Sequence, residues 1–294
     1  LETSGAADLK SGWQAQHLLV YTDDQLVAVM PLYLKHHSYG EYVFDWSWAD
    51  AYHRNGINYY PKLLSAIPFT PATGPRLCIK SGADQAAITR FAVDSIYRQA
   101  EQLAVSSIHV LFPQTAQRDT LEQLGLSSRC GVQYHWFNHD FSHFDDFLAT
   151  FSSRKRKNLS KERRRVAEQG LNLKVIEGAD ISQQDWQRFY YFYQMTYAKR
   201  SGHGGYLSQQ FFQQIAHTMA EHIVLVLAYH DDNRSEAIAG ALNFRGSSTL
   251  YGRYWGCSME FDFLHFEACY YQGIEYCINN KLQRFDPGAQ GEHK

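Results

Sequence analysis

What most constrains this chain is a succession of strand and helix signals that runs through it twice. Alternating apolar and polar residues over 16–21 and 26–34, split by Thr22-Asp23-Asp24-Gln25, predict a hairpin, and 42–48 reads as a third strand. Helical spacing over 52–67 then runs up to Pro68. A strand at 76–80, an amphipathic helix at 85–103, a strand at 107–112, a helix at 117–124 stopped by Gly125 and a strand at 132–139 complete the first half. The second half opens on a helix over 144–168 that Gly170 stops, then a strand at 171–176 and a long helix at 184–199 broken by Gly202, Gly204 and Gly205. A helix at 208–221, strands at Ile223–His230, 238–245 and 249–255, a helix at 264–279 and a strand at 283–286 follow. Strands and helices interleaved in this way predict an α/β fold with mixed sheets flanked by helices.

The repetition has landmarks. Tyr39-Gly40-Glu41-Tyr42 matches Tyr251-Gly252-Arg253-Tyr254, Tyr59-Tyr60 matches Tyr270-Tyr271, and Phe69-Thr70-Pro71 matches Phe285-Asp286-Pro287. First and last landmarks lie 30 residues apart in one copy and 34 in the other, which fits a duplicated domain better than a solenoid of short repeats. Domains over 1–141 and 142–294 are therefore expected. The second copy is expected to continue beyond Lys294, because the first goes on past its last landmark with further strands and helices that would cover sheet edges.

Composition narrows the class. With 45% hydrophobic residues, 28 Lys plus Arg against 30 Asp plus Glu and a net charge of −2, the chain is neither disordered nor a globally basic nucleic-acid coat. No apolar run approaches the ~18 residues of a membrane span. Five cysteines without a C-x-x-C pair fit reduced thiols, and 14 histidines without H-E-x-x-H spacing give no reason to expect a metal. Cytoplasm is the expected location. The charge is uneven, however: residues 154–165 hold eight cations and one anion, a local +7. On a helix, Arg154, Lys157, Lys161, Arg164 and Arg165 share one side while Leu159 and Val166 fall on another, so the segment can pack and still present guanidiniums to phosphate. A solvated helix face and a non-specific nucleic-acid contact are the other readings of this run.

A hairpin, a strand, a helix and another strand, doubled in tandem, resemble the GNAT-like acyltransferase fold as FemABX-type peptidoglycan aminoacyltransferases arrange it. Three stretches narrow the likeness: Asp45-Trp46-Ser47-Trp48-Ala49-Asp50-Ala51-Tyr52, Phe69-Thr70-Pro71-Ala72-Thr73-Gly74-Pro75-Arg76, and Leu264-His265-Phe266-Glu267-Ala268-Cys269-Tyr270-Tyr271 on through Phe285-Asp286-Pro287-Gly288 to Lys294. They resemble the bacterial predicted N-acyltransferase family of peptidoglycan biosynthesis or recognition, over essentially the whole chain. The resemblance implies two tandem GNAT-like domains with a cleft between them, and transfer of an acyl or aminoacyl group to an amine-bearing, phosphorylated acceptor such as a cell-wall precursor. Acyl-CoA and aminoacyl-tRNA are the donors it leaves open. Gly256-Cys257-Ser258-Met259-Glu260 departs from the Q/R-x-x-G-x-G/A pyrophosphate loop of CoA-dependent relatives, and the long helical hairpin of some tRNA-using relatives is missing.

Such a transfer needs an amine freed of its proton and donors for the developing oxyanion. His265, Glu267, Asp286 and His293, at a helix start and a strand end, are the candidate catalytic residues, with Arg253 and Tyr271 as candidate oxyanion donors. Arg154, Lys157 and Arg164 are the expected phosphate contacts. Asp45 and Trp46, with Trp48, Asp50, Tyr52, His36 and His37 nearby, suit a glycan or amine pocket, or else pack between domains. Tyr206 follows a glycine-rich loop that is either a lid or a helix break, and Gln290 completes the candidate substrate contacts. A CoA-dependent N-acetyltransferase, and a non-catalytic module binding glycan or nucleic acid, are the alternative functions.

Overall fold

In the computed structural model, which describes residues 1–231 and 233–289, the chain divides into two units, Leu1–Val132 and Gln133–Lys294. The first runs β1 (Gln14–Ala15), β2 (Leu18–Thr22), β3 (Gln25–Met30), β4 (Tyr33–Lys35), α1 (Trp46–Arg54), β5 (Lys62–Ser65), β6 (Cys78–Ile79), α2 (Gln85–Gln102), β7 (Ile108–Val110) and α3 (Thr115–Gln123). The β2–β3 hairpin forms where expected, with Asp23 and Asp24 taking φ of 47° and 63° in a turn whose twist matches that of the strands. β2, β3 and β6 form one sheet; the other orders β1-β4-β5-β7, with β5 and β7 parallel. α2 starts at Asp84, whose carboxylate accepts from the Ala87 N–H at 3.0 Å. Its residues Ile88, Ala92 and Ile96, one turn apart, bury a stripe among Val20, Met30 and Leu63. Each such large aliphatic side chain contributes roughly 1.5–3 kcal/mol.

The sequence reading of residues 42–67 is overturned. β4 is flanked by β1 and β5, so it offers no free edge to a strand at 42–48, and the Ala49-Asp50-Ala51 stretch coils into α1 instead. No helix crosses 52–67 either. Pro61 lacks an N–H and excludes Tyr60 from the α region, and Lys62–Ser65 enters the sheet as β5 with all four residues buried.

The second unit runs β8 (Trp136–Phe137), α4 (Phe144–Ala149), α5 (Ser153–Glu168), β9 (Leu171–Glu177), α6 (Gln183–Ser201), α7 (Gln209–Thr218), β10 (Ile223–His230), β11 (Asn233–Arg245) and β12 (Thr249–Cys257). It ends with α8 (Leu264–Phe266), a π-helical turn (Glu267–Tyr271), α9 (Gln272–Asn279) and β13 (Arg284–Asp286). Its sheet orders β8-β13-β12-β11-β10-β9, antiparallel throughout except for the parallel β12–β13 pair joined by the α8–α9 crossover, a GNAT-like arrangement. Seven successive residues of β10, Ile223 to Tyr229, are buried, as a strand covered on both faces requires. α6 packs on β11 and β12 through Phe189, Phe192 and Tyr193. A Cβ on Gly256 would lie 2.1 Å from the Phe192 carbonyl oxygen, so only glycine allows that approach.

Here too the structure corrects the sequence reading. The helix expected over 144–168 is two helices, because the Thr150 hydroxyl and N–H both return to the Phe147 carbonyl and close α4, while Phe151 turns in against Phe147 at 5.1 Å. The strand expected at 132–139 is two residues long. It pairs with β13 in the second unit's sheet, where Trp136 opposite Phe285 covers the core cluster around Tyr271 and Leu282, and so it does not close the first half. The repeat landmarks fall on unlike elements. Tyr251 to Tyr254 lie within β12 whereas Tyr39 to Tyr42 form an irregular turn, and Tyr270-Tyr271 are π-helical whereas Tyr59-Tyr60 precede β5. The α/β class with mixed sheets and flanking helices stands. Among the described residues no helix is long and apolar enough to cross a membrane.

Candidate active site

In the second unit the sheet splits where β12 and β13 part. β13 pairs with Thr249 to Tyr251 only, and Pro287 follows it without an N–H to continue the ladder. On its other edge β12 carries a bulge: Asn243 faces Gly252 and Leu242 faces Tyr254, so Arg253 is the extra residue. The carboxyl end of a strand beside such a divergence is where open α/β sheets hold ligands.

His135 and Asp286 meet there, and Arg253 lies on the adjoining bulge. The β8–β13 register sets Phe285 opposite Trp136, and one step further it brings His135 to Asp286, Nε2 to Oδ2, at 3.5 Å. Asp286 is 1% exposed, and its Oδ1 accepts from the Gly288 N–H at 2.9 Å. Gly288, at φ 94°, folds back over the bulge, such that a Cβ there would stand 3.4 Å from the Gly252 carbonyl oxygen and 4.0 Å from Arg253 Nη1. The result is an imidazole whose Nε2 faces both the Gln133 amide oxygen at 3.2 Å and the buried Asp286 carboxylate at 3.5 Å, with a guanidinium carried on the neighbouring bulge. This pairing can accept a proton and stabilise a developing anion side by side.

Of the candidate residues, the structure thus pairs Asp286 with His135 and puts Arg253 on the bulge that Gly288 approaches. The others are engaged elsewhere. Glu267 is buried and takes both Nε and Nη2 of Arg163 at 2.9–3.2 Å, plus the Gln272 amide at 2.8 Å. The same Arg163 reaches Glu275 at 2.7 Å. Tyr271 gives its hydroxyl proton to Glu162, and burial first and then that hydrogen bond push the phenol well above its ordinary range. His265 stands among Trp255, Phe266 and Tyr270, with ring centroids 5.4–5.7 Å away. His293 and Gln290 lie outside the described residues. Arg154 and Lys157 are exposed on α5, and Arg164 faces Glu168 at 3.4 Å. The N–H groups of Tyr206 and Leu207 donate to the Tyr193 hydroxyl at 2.9 and 3.0 Å, which ties the glycine-rich loop to α6.

In the first unit, Asp45 belongs to a buried charge cluster that sequence reasoning missed. Lys62 Nζ donates to Asp45 at 2.7 Å and to Glu41 and Ser38 at 2.8 Å, and Tyr59 donates to Asp45 at 2.7 Å. Burial alone would raise the Asp45 carboxyl, but the hydrogen bonds from Lys62 and Tyr59 outweigh it and leave it below the usual range. Glu41 goes the other way, raised by burial. Lys35, also fully buried, lies 3.8 Å from the Trp13 ring centroid and is pushed down to about 7 by burial. Burial and the nearby Lys62 lower His109 to about 4. Trp46, next to Asp45, is 47% exposed and stacks at a tilt on Tyr39 at 5.3 Å; no residue of α1 is buried. Lysines beside the apolar residues of Tyr33-Leu34-Lys35 and Lys62-Leu63-Leu64 are the signal the sequence carries for this cluster, and a helix over 52–67 hides it.

Lys35 supplies a pH prediction. Its folded pKa lies below the unfolded 10.5, so between about 7 and 10.5 the unfolded chain holds the extra proton and stability rises with pH. Thermal melts at pH 6, 8 and 10 are expected to show this rise in the wild type and a flatter profile in Lys35→Met; equal slopes would refute the assignment.

Both the sequence and the fold have known relatives. The profile of the FemAB-like family, described as peptidoglycan biosynthesis/recognition, matches residues 1–294. No curated protein matches the chain. Among solved structures, FemX superposes with a TM-score of 0.51 at 15% identity, covering 99% of this chain and 83% of FemX. L-PGS from Bacillus licheniformis gives 0.55 at 11% identity, with 92% and 70% covered. A conserved protein of unknown function from Bacteroides thetaiotaomicron gives 0.51 at 11%, with 94% and 77% covered. At these identities the likeness establishes the fold, two GNAT-like units in tandem, and the match along the full sequence establishes the lineage: the chain belongs to the FemAB-like family of peptidoglycan biosynthesis/recognition.

Proposed function

We propose that this protein transfers an acyl or aminoacyl group to the amine of a phosphorylated cell-wall precursor in the cytoplasm. The observation that carries the reading is the His135–Asp286 pair at the split between β12 and β13, with Arg253 on the adjoining bulge. In the reaction the acceptor nitrogen bonds to the acyl carbon as the carbon's bond to the donor's oxygen or sulfur breaks. His135, oriented by Asp286, takes the proton the amine gives up, and Arg253 faces the oxyanion that forms on the way. The exposed cations Arg154 and Lys157 supply the phosphate contacts, with Arg164 exchanging Glu168 for phosphate. Family membership favours the cell-wall acceptor.

Incubation of the protein with a pool of cell-wall precursors and either acyl-CoA or aminoacyl-tRNA, followed by mass spectrometry, tests the reading. A precursor is expected to gain the mass of one acyl or aminoacyl group, and that mass names the donor class. A pool unchanged with both donors would overturn it.

A further inference from the structure

A cavity of about 320 Å³ opens in the second unit, between α6, α7 and the turn at Gly178 and Ala179, and none of its lining residues belongs to the His135–Asp286–Arg253 site. Its rim has a regular construction. Gln183 and Gln187 stand one turn apart on α6, and Gln209 and Gln213 one turn apart on α7, so two ladders of carboxamides line the same opening. All four are exposed, and none has a hydrogen-bond partner among the described residues. The floor is aromatic, formed by Trp186, Tyr190 and Phe212. No Asp, Glu, Lys or Arg lines the cavity, and His217 is the one basic side chain on it.

We infer that this cavity is a binding site for one neutral sugar ring. Each carboxamide offers an acceptor oxygen and two N–H donors, which complements hydroxyls that donate one hydrogen bond and accept two. The aromatic floor suits the C–H face of a pyranose, and with His217 as the one basic side chain on its lining the cavity offers a charged ligand no fixed countercharge. The volume sits at the low end of the ~300–1,000 Å³ range of ligand pockets, enough for a single ring and too small for a nucleotide-bearing donor. A peptide strand would need an open sheet edge to pair with, and no strand residue lines the cavity.

The test is titration of the full chain with glucose, N-acetylglucosamine and glucose 6-phosphate, followed by ligand-observed NMR and tryptophan fluorescence. Saturable binding of at least one neutral sugar is expected, with a Kd on the order of millimolar. Gln187→Ala and Gln213→Ala, both at exposed positions, are each expected to weaken it roughly threefold to tenfold with unchanged melting curves. No saturation by either neutral sugar, affinity indifferent to both substitutions, or equal affinity for the phosphorylated sugar would overturn the inference. Binding is read without turnover, so failure of the proposed acyl transfer leaves this result independent.

Discussion

Lys62→Met is expected to lower the melting temperature by roughly 10 °C at pH 8. The substitution removes the cation shared by two carboxylates that are 3% and 1% exposed, and strands Glu41 and Asp45 in the core of the first unit. Breaking one partner out of a buried ion cluster costs about 3–5 kcal/mol, and in a protein of this size each kcal/mol shifts the midpoint by roughly 2–4 °C. The penalty lies in the orphaned charges, so the triple variant Lys62→Met, Glu41→Gln, Asp45→Asn is expected to recover much of the loss. The sign with pH follows from Glu41. Its carboxyl is already raised by burial and rises further without Lys62, so the folded variant takes up a proton before the unfolded chain does. The deficit therefore shrinks as pH falls toward the ordinary carboxylate range. A deficit under about 1 kcal/mol at pH 8 would show that the cluster is hydrated and contributes little.

That cluster also marks where the sequence was legible and where it was not. Local signals sufficed for the hairpin at Asp23-Asp24, for α2 with its four-residue apolar spacing, and for β10, because turn chemistry and periodicity act within a few residues. Register and partner choice do not. Whether 42–48 forms a strand depends on β4 having a free edge, and whether Trp136 belongs to the first or second unit depends on β13, some 150 residues away. The site divides along the same line. Asp286 was legible as a carboxylate at a strand end, and Arg253 lay inside a repeated landmark. His135 enters only through the β8–β13 register, and Glu267 leaves only because Arg163, about a hundred residues earlier in the chain, occupies its carboxylate. Charge patterning showed the cations of 154–165 but gave no sign that Arg163 alone among them turns inward.

The contrast between Asp286 and Glu267 gives the sharpest functional expectation. Asp286→Asn keeps the shape and the hydrogen bond from the Gly288 N–H but removes the charge that orients His135. In the acyl-transfer assay it is expected to lower kcat roughly 10²–10⁴-fold, the usual contribution of a positioned general base, with little change in KM or melting temperature. His135→Ala should cost about as much, and the double variant no more than either single one, since two residues acting as one unit lose their function together. Glu267→Gln should behave differently. Arg163 then keeps only Glu275 in a half-buried position, and the expected result is a protein roughly 3 kcal/mol less stable whose remaining folded fraction turns over normally. If Glu267→Gln instead abolished turnover at unchanged stability while Asp286→Asn left it intact, the proton acceptor would belong to the α8–α9 crossover, and the split between β12 and β13 would be a packing feature only.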